Sequence, residues 1–456
     1  MLKTKAALQV TNAGMLPDDT LVIGEAYIKQ WKLPQGQHIT LRFGSFRQHV
    51  KLLPSAKLSG IRISQGLARR MGLTHGSTLR IQYKASTATL MLGPLIGVLI
   101  SRDYPHMPDK PFGSITMFCK EMTDACKAQG AYAYFFTPNE LSDSRSSVEG
   151  WIYDQGWRKT AMPLPDIVSN RLTSRKLENK PSVQHFLREV KQTYKGSVFN
   201  EKFLDKHEVF SALKQDDALL RYLPESHLLR GMKTLKLMCL RYNQVFLKPV
   251  RGSLGKGIIR ITRMEGQQFQ AQFATAVGSR KQQFATINKL YSALSAKMKT
   301  VRYQVQQGLQ LIEIQKRPVD FRALVQKNNT GKWAITSIVA RTASDNHFVS
   351  NLAKGGTLST VSDAISRSNL SANVSRLDAA SRLRQAALAI AQGIESNMEE
   401  HFGELGIDLA LDTSGHIWLL EVNSKPSKND NTPLTDGKIR PSVRMLIQYS
   451  RFLSGF

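Results

Sequence analysis

Two apolar segments near the C-terminal end of the chain, separated by the turn DTSG, predict a β-hairpin with polar side chains on one face. The segment LGIDLALDTSGHIWLLEVNSKP gives strands at 407–411 and 416–422. Glu421 and Asn423 are two residues apart and leave the same face, opposite Asp408. Since hard oxygen ligands suit Mg²⁺, we interpret the three as a metal site. The alternative is that Asp and Asn only border turns, but a buried Glu421 without a partner would be costly.

A glycine-rich loop connects two further strands in the segment QVFLKPVRGSLGKGIIRI. Lys248 ends the first strand, and the second strand is predicted at 258–261. Glycines let backbone N–H groups turn toward an oxyanion, and lysines neutralise phosphate charge. The pattern GxxxxGK[ST] is absent and the loop leads into a strand, so this is neither a P-loop nor a Rossmann turn. We interpret the loop as a phosphate site; the alternative is an ordinary glycine-rich hairpin.

Three segments between these motifs carry polar side chains that suit an anionic ligand. RPVDFRALVQ contains Arg322, AITSIVARTA contains Arg341, and FVSNLAKGGTLS contains Asn351. Arginines on adjacent strands can clamp a carboxylate or a transferring phosphoryl group. Each arginine alone is more often a surface ion-pair residue, so this interpretation depends on the neighbouring motifs.

The length of 456 residues predicts two or three domains. Short segments such as LVIGEAYI, HITLRFG and STLRIQY predict a small β-rich domain at 1–93, in which Ser64 is a helix N-cap candidate. Its ISQGLARRMGLTHGSTLRI segment resembles the strand-helix-turn-strand unit of small β-barrels of the double-psi or AbrB-like kind. The buried strand LIGVLIS and the amphipathic SITMFCKEMTDACKAQ predict an α/β domain at 94–195. The third domain, 196–456, opens with a helix that carries Lys206.

The charge balance favours a polyanionic partner. Lys and Arg number 63 against 35 Asp and Glu, for a net charge of +28. Nucleotide, nucleic acid, an acidic polymer or an anionic membrane surface would each fit, as would a generally basic solvated surface. Three cysteines are too few for a disulfide framework. The longest apolar run, 90–100, is far shorter than the ~20 residues that span a bilayer. We therefore expect a cytoplasmic protein without a transmembrane segment.

The order of these motifs resembles the ATP-grasp superfamily. Within it the chain is similar to the YheC/YheD family, described as endospore coat-associated, and more widely to RimK-type ligases. The motifs, which cover about 200–430, are FLDKHEVFSAL, VFLKP, GSLGKG, YQVQQGLQLIE, VDFRALV, FVSNLAKGG, GIDLALD and WLLEVNSKP. The resemblance implies a mixed α/β and α+β multidomain protein, in which a Rossmann-like pre-ATP-grasp layer precedes a C-terminal ATP-grasp fold.

The resemblance also implies a role for each matched residue. ATP would contact Lys206, Lys248, Ser253, Gly255, Lys256 and Gly257 with its phosphates, Gln306, Gln307 and Leu309 with its adenine, and Glu313 with its ribose. One or two Mg²⁺ ions, with Mn²⁺ as an alternative, would bind Asp408, Glu421 and Asn423. Arg322, Arg341 and Asn351 would face the γ-phosphate and the acceptor. Two positions depart from related ligases: Gln307 replaces an acidic hinge residue, and Gly406 stands where D-alanine ligases carry an arginine.

These features lead to the hypothesis of an ATP-dependent carboxylate-amine ligase that acts through an acylphosphate, with unidentified carboxylate and amine substrates. One alternative is a coat-associated protein that binds nucleotide without turnover. Another is an ATP-grasp kinase acting on a polyanionic substrate. Nucleic-acid binding is the least favoured, because no basic motif is interleaved with aromatic residues.

Overall fold

The first part of the chain folds into a closed β-barrel. In a computed structural model, which describes residues 4–141, 147–252, 256–275, 278–344, 356–428 and 439–456, the barrel order is β1-β5-β2-β4-β3-β7-β6, and β6 pairs back to β1. Its strands are β1 (Thr4–Val10), β2 (Thr20–Gly24), β3 (His38–Phe43), β4 (Phe46–Ser55), β5 (Ile61–Ile63), β6 (Thr78–Lys84) and β7 (Thr89–Gly93). Two helices, α1 (Glu25–Trp31) and α2 (Gln65–Met71), lie between strands.

Local sequence explains both barrel helices. Ser64 caps α2 as predicted, because its Oγ accepts a hydrogen bond from the Leu67 N–H at 3.0 Å. The segment LVIGEAYI is not one strand, since β2 ends at Gly24 and α1 follows at once. The helix buries Tyr27 and Ile28, consecutive residues that a strand would have sent to opposite faces.

The middle of the chain forms a second sheet in the order β11-β10-β9-β8-β12-β13. Its strands are β8 (Leu95–Leu99), β9 (Tyr132–Phe136), β10 (Ser147–Tyr153), β11 (Trp157–Pro163), β12 (Ile167–Asn170) and β13 (Ser197–Phe199). The helices are α3 (Thr116–Gln129), α4 (Arg175–Glu178) and α5 (Pro181–Gln192). The four strands β9-β8-β12-β13 are parallel, so their carboxyl ends meet at one edge. β13 lies beyond residue 195, and the domain boundaries at 93/94 and 195/196 stay a prediction.

The C-terminal half contains two antiparallel sheets. The third sheet has the order β14-β19-β15-β16-β17-β18. Its strands are β14 (Ser226–Leu228), β15 (Gln244–Pro249), β16 (Ile259–Arg263), β17 (Phe269–Ala274), β18 (Ser279–Phe284) and β19 (Tyr303–Gln307). Helices α6 (Lys206–Leu213) and α7 (Asp217–Leu220) precede the sheet, α8 (Met232–Arg241) lies between β14 and β15, and α9 (Ile287–Thr300) lies between β18 and β19.

The fourth sheet has the order β23-β22-β21-β24-β25, with β20 paired to β21. Its elements are β20 (Glu313–Ile314), β21 (Arg317–Lys327), β22 (Trp333–Thr342), β23 (Thr357–Ser359), α10 (Val361–Arg367), α11 (Arg376–Asn397), β24 (Glu404–Leu411), β25 (Ile417–Asn423) and α12 (Pro441–Ser454). The apolar face of the long helix α11 packs on this sheet, where its Leu383, Ala387 and Ile390 are fully buried. The described part of the chain has no helix that is both long and apolar enough to cross a bilayer.

Candidate functional site

A single large cleft brings most of the predicted site residues together. It has a volume of about 1310 Å³ and lies where the carboxyl edge of the second sheet meets the third and fourth sheets. Eleven predicted residues line it: Lys206, Lys248, Gln306, Gln307, Leu309, Glu313, Arg322, Arg341, Asp408, Glu421 and Asn423. Pockets for small molecules are usually ~300–1,000 Å³, so the cleft has room for more than one ligand.

Lys206 links the start of the glycine-rich loop to the acidic end of β25. It is the first residue of α6, a helix capped by Asp205, whose Oδ1 accepts from the Glu208 N–H at 2.9 Å. The Lys206 Nζ donates to the carbonyl oxygen of Gly252 and to Glu421 Oε1, each at 3.1 Å. One ammonium group therefore joins a segment that can cover phosphates to a carboxylate that can hold a cation.

Lys248 projects from β15 into the same cleft. Its Nζ donates to Gln306 Oε1, and Gln306 Nε2 donates to Ser226 Oγ at 2.9 Å. Burial, followed by the nearby positive charge of Lys206, lowers the pKa of Lys248 to about 8, although the carboxylates of Glu421 and Asp408 oppose this shift. An anionic ligand would stabilise the charged ammonium.

Asp408 is bound by two arginines from neighbouring strands. It pairs in register with Arg322 of β21, whose Nε donates to Oδ1 and whose Nη2 donates to Oδ2 at 2.8 Å. The Nη2 of Arg341 lies 3.2 Å from Asp408 Oδ1 and also donates to Asp320 Oδ2 at 2.8 Å. Burial would raise the pKa of Asp408, but the two guanidinium groups outweigh it and hold the pKa below its usual value. The carboxylate is therefore charged at neutral pH.

The acidic end of the cleft fits a hard divalent cation. Asp408 pairs directly with Glu421 across β24 and β25, and Asn423 lies two residues beyond Glu421 on the same strand. The donor set is two carboxylates and one amide oxygen, which are magnesium ligands. Among the described residues no cluster of three or more His, Cys, Asp or Glu side chains is placed to hold a metal ion. A cation at Asp408 and Glu421 would thus need Asn423, water or phosphate oxygens to complete its coordination.

Gln307, Leu309 and Glu313, which were predicted to contact adenine and ribose, also line the cleft. The Gln307 N–H donates to the Glu225 carbonyl oxygen at 2.9 Å, and the Glu225 N–H donates to Gln307 Oε1 at 2.7 Å. These bonds occupy both the backbone N–H and the side-chain oxygen of Gln307. Leu309 lines the cleft next along the chain. The N–H of Glu313 donates to Asn369 Oδ1 at 2.7 Å.

Some predicted residues lie elsewhere. Lys256 and Gly257 are exposed and do not line the cleft, so the structure does not bring the Lys256 side chain to the other site residues. Ser253, Gly255 and Asn351 lie outside the described residues. At Gly406, a side-chain Cβ would lie 3.5 Å from Nη1 of Arg322. Arg322 of the adjacent strand therefore occupies the space beside Gly406, the position at which we expected D-alanine ligases to carry an arginine.

The sequence motifs missed several cations that line the cleft near the carboxyl edge of the second sheet. Arg171, just beyond β12, donates from Nη1 to Glu404 Oε1 and from Nη2 to the Pro426 carbonyl oxygen at 2.6 Å. Lys425 pairs with Glu178 in a buried ion pair. The short lysine-containing run after β25, SKPSK, was the available sequence signal. Arg102 also lines the cleft, with its guanidinium 5.4 Å from the centre of the Tyr104 ring.

Comparison with known families agrees with this architecture. A family model described as YheC/D-like ATP-grasp matches residues 195–453, more than half of the chain. The chain belongs to the YheC/D-like ATP-grasp family. Its fold is accordingly an ATP-grasp fold of mixed α/β content, and the predicted family is confirmed. The wider similarity to RimK-type ligases stays a prediction.

Two similar proteins from Bacillus subtilis (strain 168) are each named as an endospore coat-associated protein. The chain is 27% identical to the endospore coat-associated protein YheD over 386 residues, which cover 84% of this chain and 82% of the relative. It is 24% identical to the endospore coat-associated protein YheC over 300 residues, which cover 64% of this chain and 80% of the relative.

Solved structures with a similar fold include D-cycloserine synthetase DcsG and D-alanyl-alanine synthetase A from Vibrio cholerae. The first has 11% identity and a TM-score of 0.47, covering 78% of this chain and 99% of the other. The second has 13% identity and a TM-score of 0.45, covering 80% and 98%.

Proposed function

We propose that this ATP-grasp protein binds MgATP in the cleft and uses it to join a carboxylate to an amine. The observation that carries the proposal is the convergence of Lys206 and Lys248 with Asp408 and Glu421 in one cleft. Two ammonium groups would suit the phosphates of ATP, and two carboxylates would suit the Mg²⁺ ion that accompanies them. Family membership supports nucleotide binding.

The side chains suggest how the reaction would proceed. A carboxylate oxygen of the substrate attacks the γ-phosphorus, and the bond to ADP breaks. The amine then attacks the acyl carbon of the acylphosphate, phosphate leaves, and the amine loses a proton. Mg²⁺ held by Asp408, Glu421 and Asn423 would neutralise phosphate charge. Lys206 and Lys248 would hold the phosphates, while Arg322 and Arg341 would stabilise charge on the transferring group.

The charge of the cleft supports an anionic second substrate. Among its described lining residues, twelve are Lys or Arg and four are Asp or Glu. MgATP would offset only part of this excess, so an acidic cosubstrate fits better than a neutral one. The same observation favours one further candidate, a kinase that phosphorylates a hydroxyl on a polyanionic substrate. An acidic polymer of the spore coat is one candidate partner. The proposed location is the cytoplasm or the spore coat.

A product screen tests the proposal. Purified protein is incubated with MgATP and pooled amino acids, acidic peptides and cell-wall precursors, and both ADP and new amide products are measured. The ligase proposal predicts ADP release that depends on a carboxylate and an amine, with an amide product. A phosphorylated hydroxyl product would identify a kinase instead. No ADP release with any pool would contradict both and favour a nucleotide-binding coat protein without turnover.

The matched variant is Glu421→Gln, which keeps the side-chain shape and removes the charge. We expect it to abolish ADP release. Glu399→Gln, at an exposed position, is the control and should keep the wild-type rate.

A further inference from the structure

A second groove lies outside the cleft, between α6, β14, the start of α8 and β19. Its volume is about 330 Å³. Its lining residues are His207, Phe210, Ser211, Lys214, Ser226, His227, Leu228, Arg230, Thr234 and Gln304. None of these described residues is a carboxylate, whereas four carry basic side chains. The groove is therefore a positively polarised surface next to, but separate from, the cleft.

Three of the four basic side chains of the groove, His207, Lys214 and Arg230, have no ion-pair partner among the described residues. Lys214 Nζ makes one long bond, 3.4 Å, to the carbonyl oxygen of Ser226. His227 pairs with Glu225 at 2.9 Å. Arg230 and His207 are exposed, and neither has an ion-pair partner within the described ranges.

Two further features point to an anionic group with hydrogen-bonding oxygens. Helix α8 begins after Gly231 without a side-chain cap, and Arg230 and Thr234 at this end of the helix line the groove, so N–H groups left without a capping side chain lie beside it. Gln304, only 2% exposed, lines the groove, and its Oε1 has no hydrogen-bond partner. A buried carboxamide oxygen without a partner is costly, and a half-turn of the amide would present either its acceptor or its donor to a ligand.

We propose that this groove binds a phosphate group. A phosphate supplies the negative charge for Lys214 and Arg230, oxygens for the N–H groups of α8, and either P–O⁻ or P–OH for Gln304. The ligand is free phosphate or a small phosphate monoester, because the groove has less than a third of the cleft's volume.

Calorimetric titration of the full chain with inorganic phosphate and, separately, glycerol 3-phosphate tests the site. Wild-type protein should show saturable binding, and whichever compound binds more tightly identifies the source of the phosphate. The double variant Lys214→Ala, Arg230→Ala should bind at least about tenfold more weakly, since it loses two charged donors. The control Lys236→Ala removes an exposed charge from α8 outside the groove and should bind as the wild type does.

Three results would overturn the proposal: no saturable binding by the wild type, equal binding by the double variant, or a loss of binding in Lys248→Met instead, which would place the phosphate in the cleft. Gln304→Met separates a binding role from a structural one. Because it removes an unpartnered buried oxygen, it should raise the melting temperature and lower phosphate affinity together. A lower melting temperature with unchanged affinity would show that Gln304 serves only the fold.

Discussion

Arg322 and Asp408 face each other across two adjacent strands, and two parallel hydrogen bonds join the guanidinium to the carboxylate. The pair fixes the direction of the Asp408 oxygens before any ligand enters. A cation that binds Asp408 must share it with Arg322 and Arg341. Arg322 and Arg341 are thus in direct contact with Asp408, the candidate metal ligand. A transferring phosphoryl group would need both the positive side chains and the metal ligand close to it.

The variant Arg322→Lys tests this arrangement. Lysine keeps the charge but cannot form the fork, the two parallel hydrogen bonds from the guanidinium to Asp408. We therefore expect the rate of ADP release to fall by about 10²-fold, a typical loss for one electrostatic stabiliser. ATP affinity should change less. The measurement is a coupled ADP-release assay with the substrates found in the product screen. Arg367→Lys, which replaces an exposed arginine paired with Asp363, is the control. A wild-type rate in Arg322→Lys would show that the fork has no role in the reaction.

Lys248 gives a prediction about protons. Its pKa of about 8 means that much of the side chain is neutral at pH 8.5 in the free protein. A bound phosphate favours the ammonium, so nucleotide binding at pH 8.5 should take up a fraction of a proton, and affinity should fall as pH rises above 8. Calorimetry in buffers of different ionisation enthalpy measures the uptake. The uptake should disappear in Lys248→Met and persist in Lys233→Met, an exposed control. Identical uptake in both variants would contradict the assignment.

The same pKa affects stability in a defined direction. Since the folded-state pKa of Lys248 lies below the unfolded value of ~10.4, the buried ammonium destabilises the ligand-free protein fully below pH 8. This cost disappears as pH rises from about 8 to ~10.4. Phosphate binding removes the same cost at neutral pH, so ligand binding and folding are linked at this residue.

Glu404 is expected to be a major determinant of stability. It is 1% exposed and accepts bonds from Lys428 and Arg171. Burial opposes its ionisation, but the charges of Lys428 and Arg171 hold its pKa below the usual value. Its contribution is therefore present above the unfolded pKa of ~4.3 and is lost as pH falls through the lower folded pKa.

The variant Glu404→Gln should lower the free energy of unfolding at pH 7 by about 3–5 kcal/mol, because it leaves two buried cations without a counter-charge. Urea unfolding measures this effect. Glu399→Gln, on the surface, should differ from the wild type by less than ~0.5 kcal/mol. A Glu404→Gln protein as stable as the control would show that the network is energetically neutral.

The sequence predicted the cleft residues that lie on strands with clear patterns. Asp408, Glu421 and Asn423 followed from a hairpin whose register is set locally. Arg322 and Arg341 were expected as arginines on adjacent strands, and β21 and β22 do pair. The bond between Arg171 and Glu404 was not predictable in this way, because it joins residues 233 apart whose approach depends on the packing of two sheets. Lys256 is exposed and does not line the cleft, so the phosphate contact that its loop motif suggested stays a prediction.

The most direct test of the account is whether nucleotide binding depends on Mg²⁺ through Asp408 and Glu421. ATP affinity is measured by calorimetry with Mg²⁺ and with a chelator, for the wild type, Asp408→Asn, Glu421→Gln and the surface control Asp363→Asn. We predict that Mg²⁺ strengthens ATP binding at least about tenfold in the wild type and the control, and that each site variant loses this gain. Equal Mg²⁺ dependence in all four proteins would contradict the metal site and the mechanism built on it.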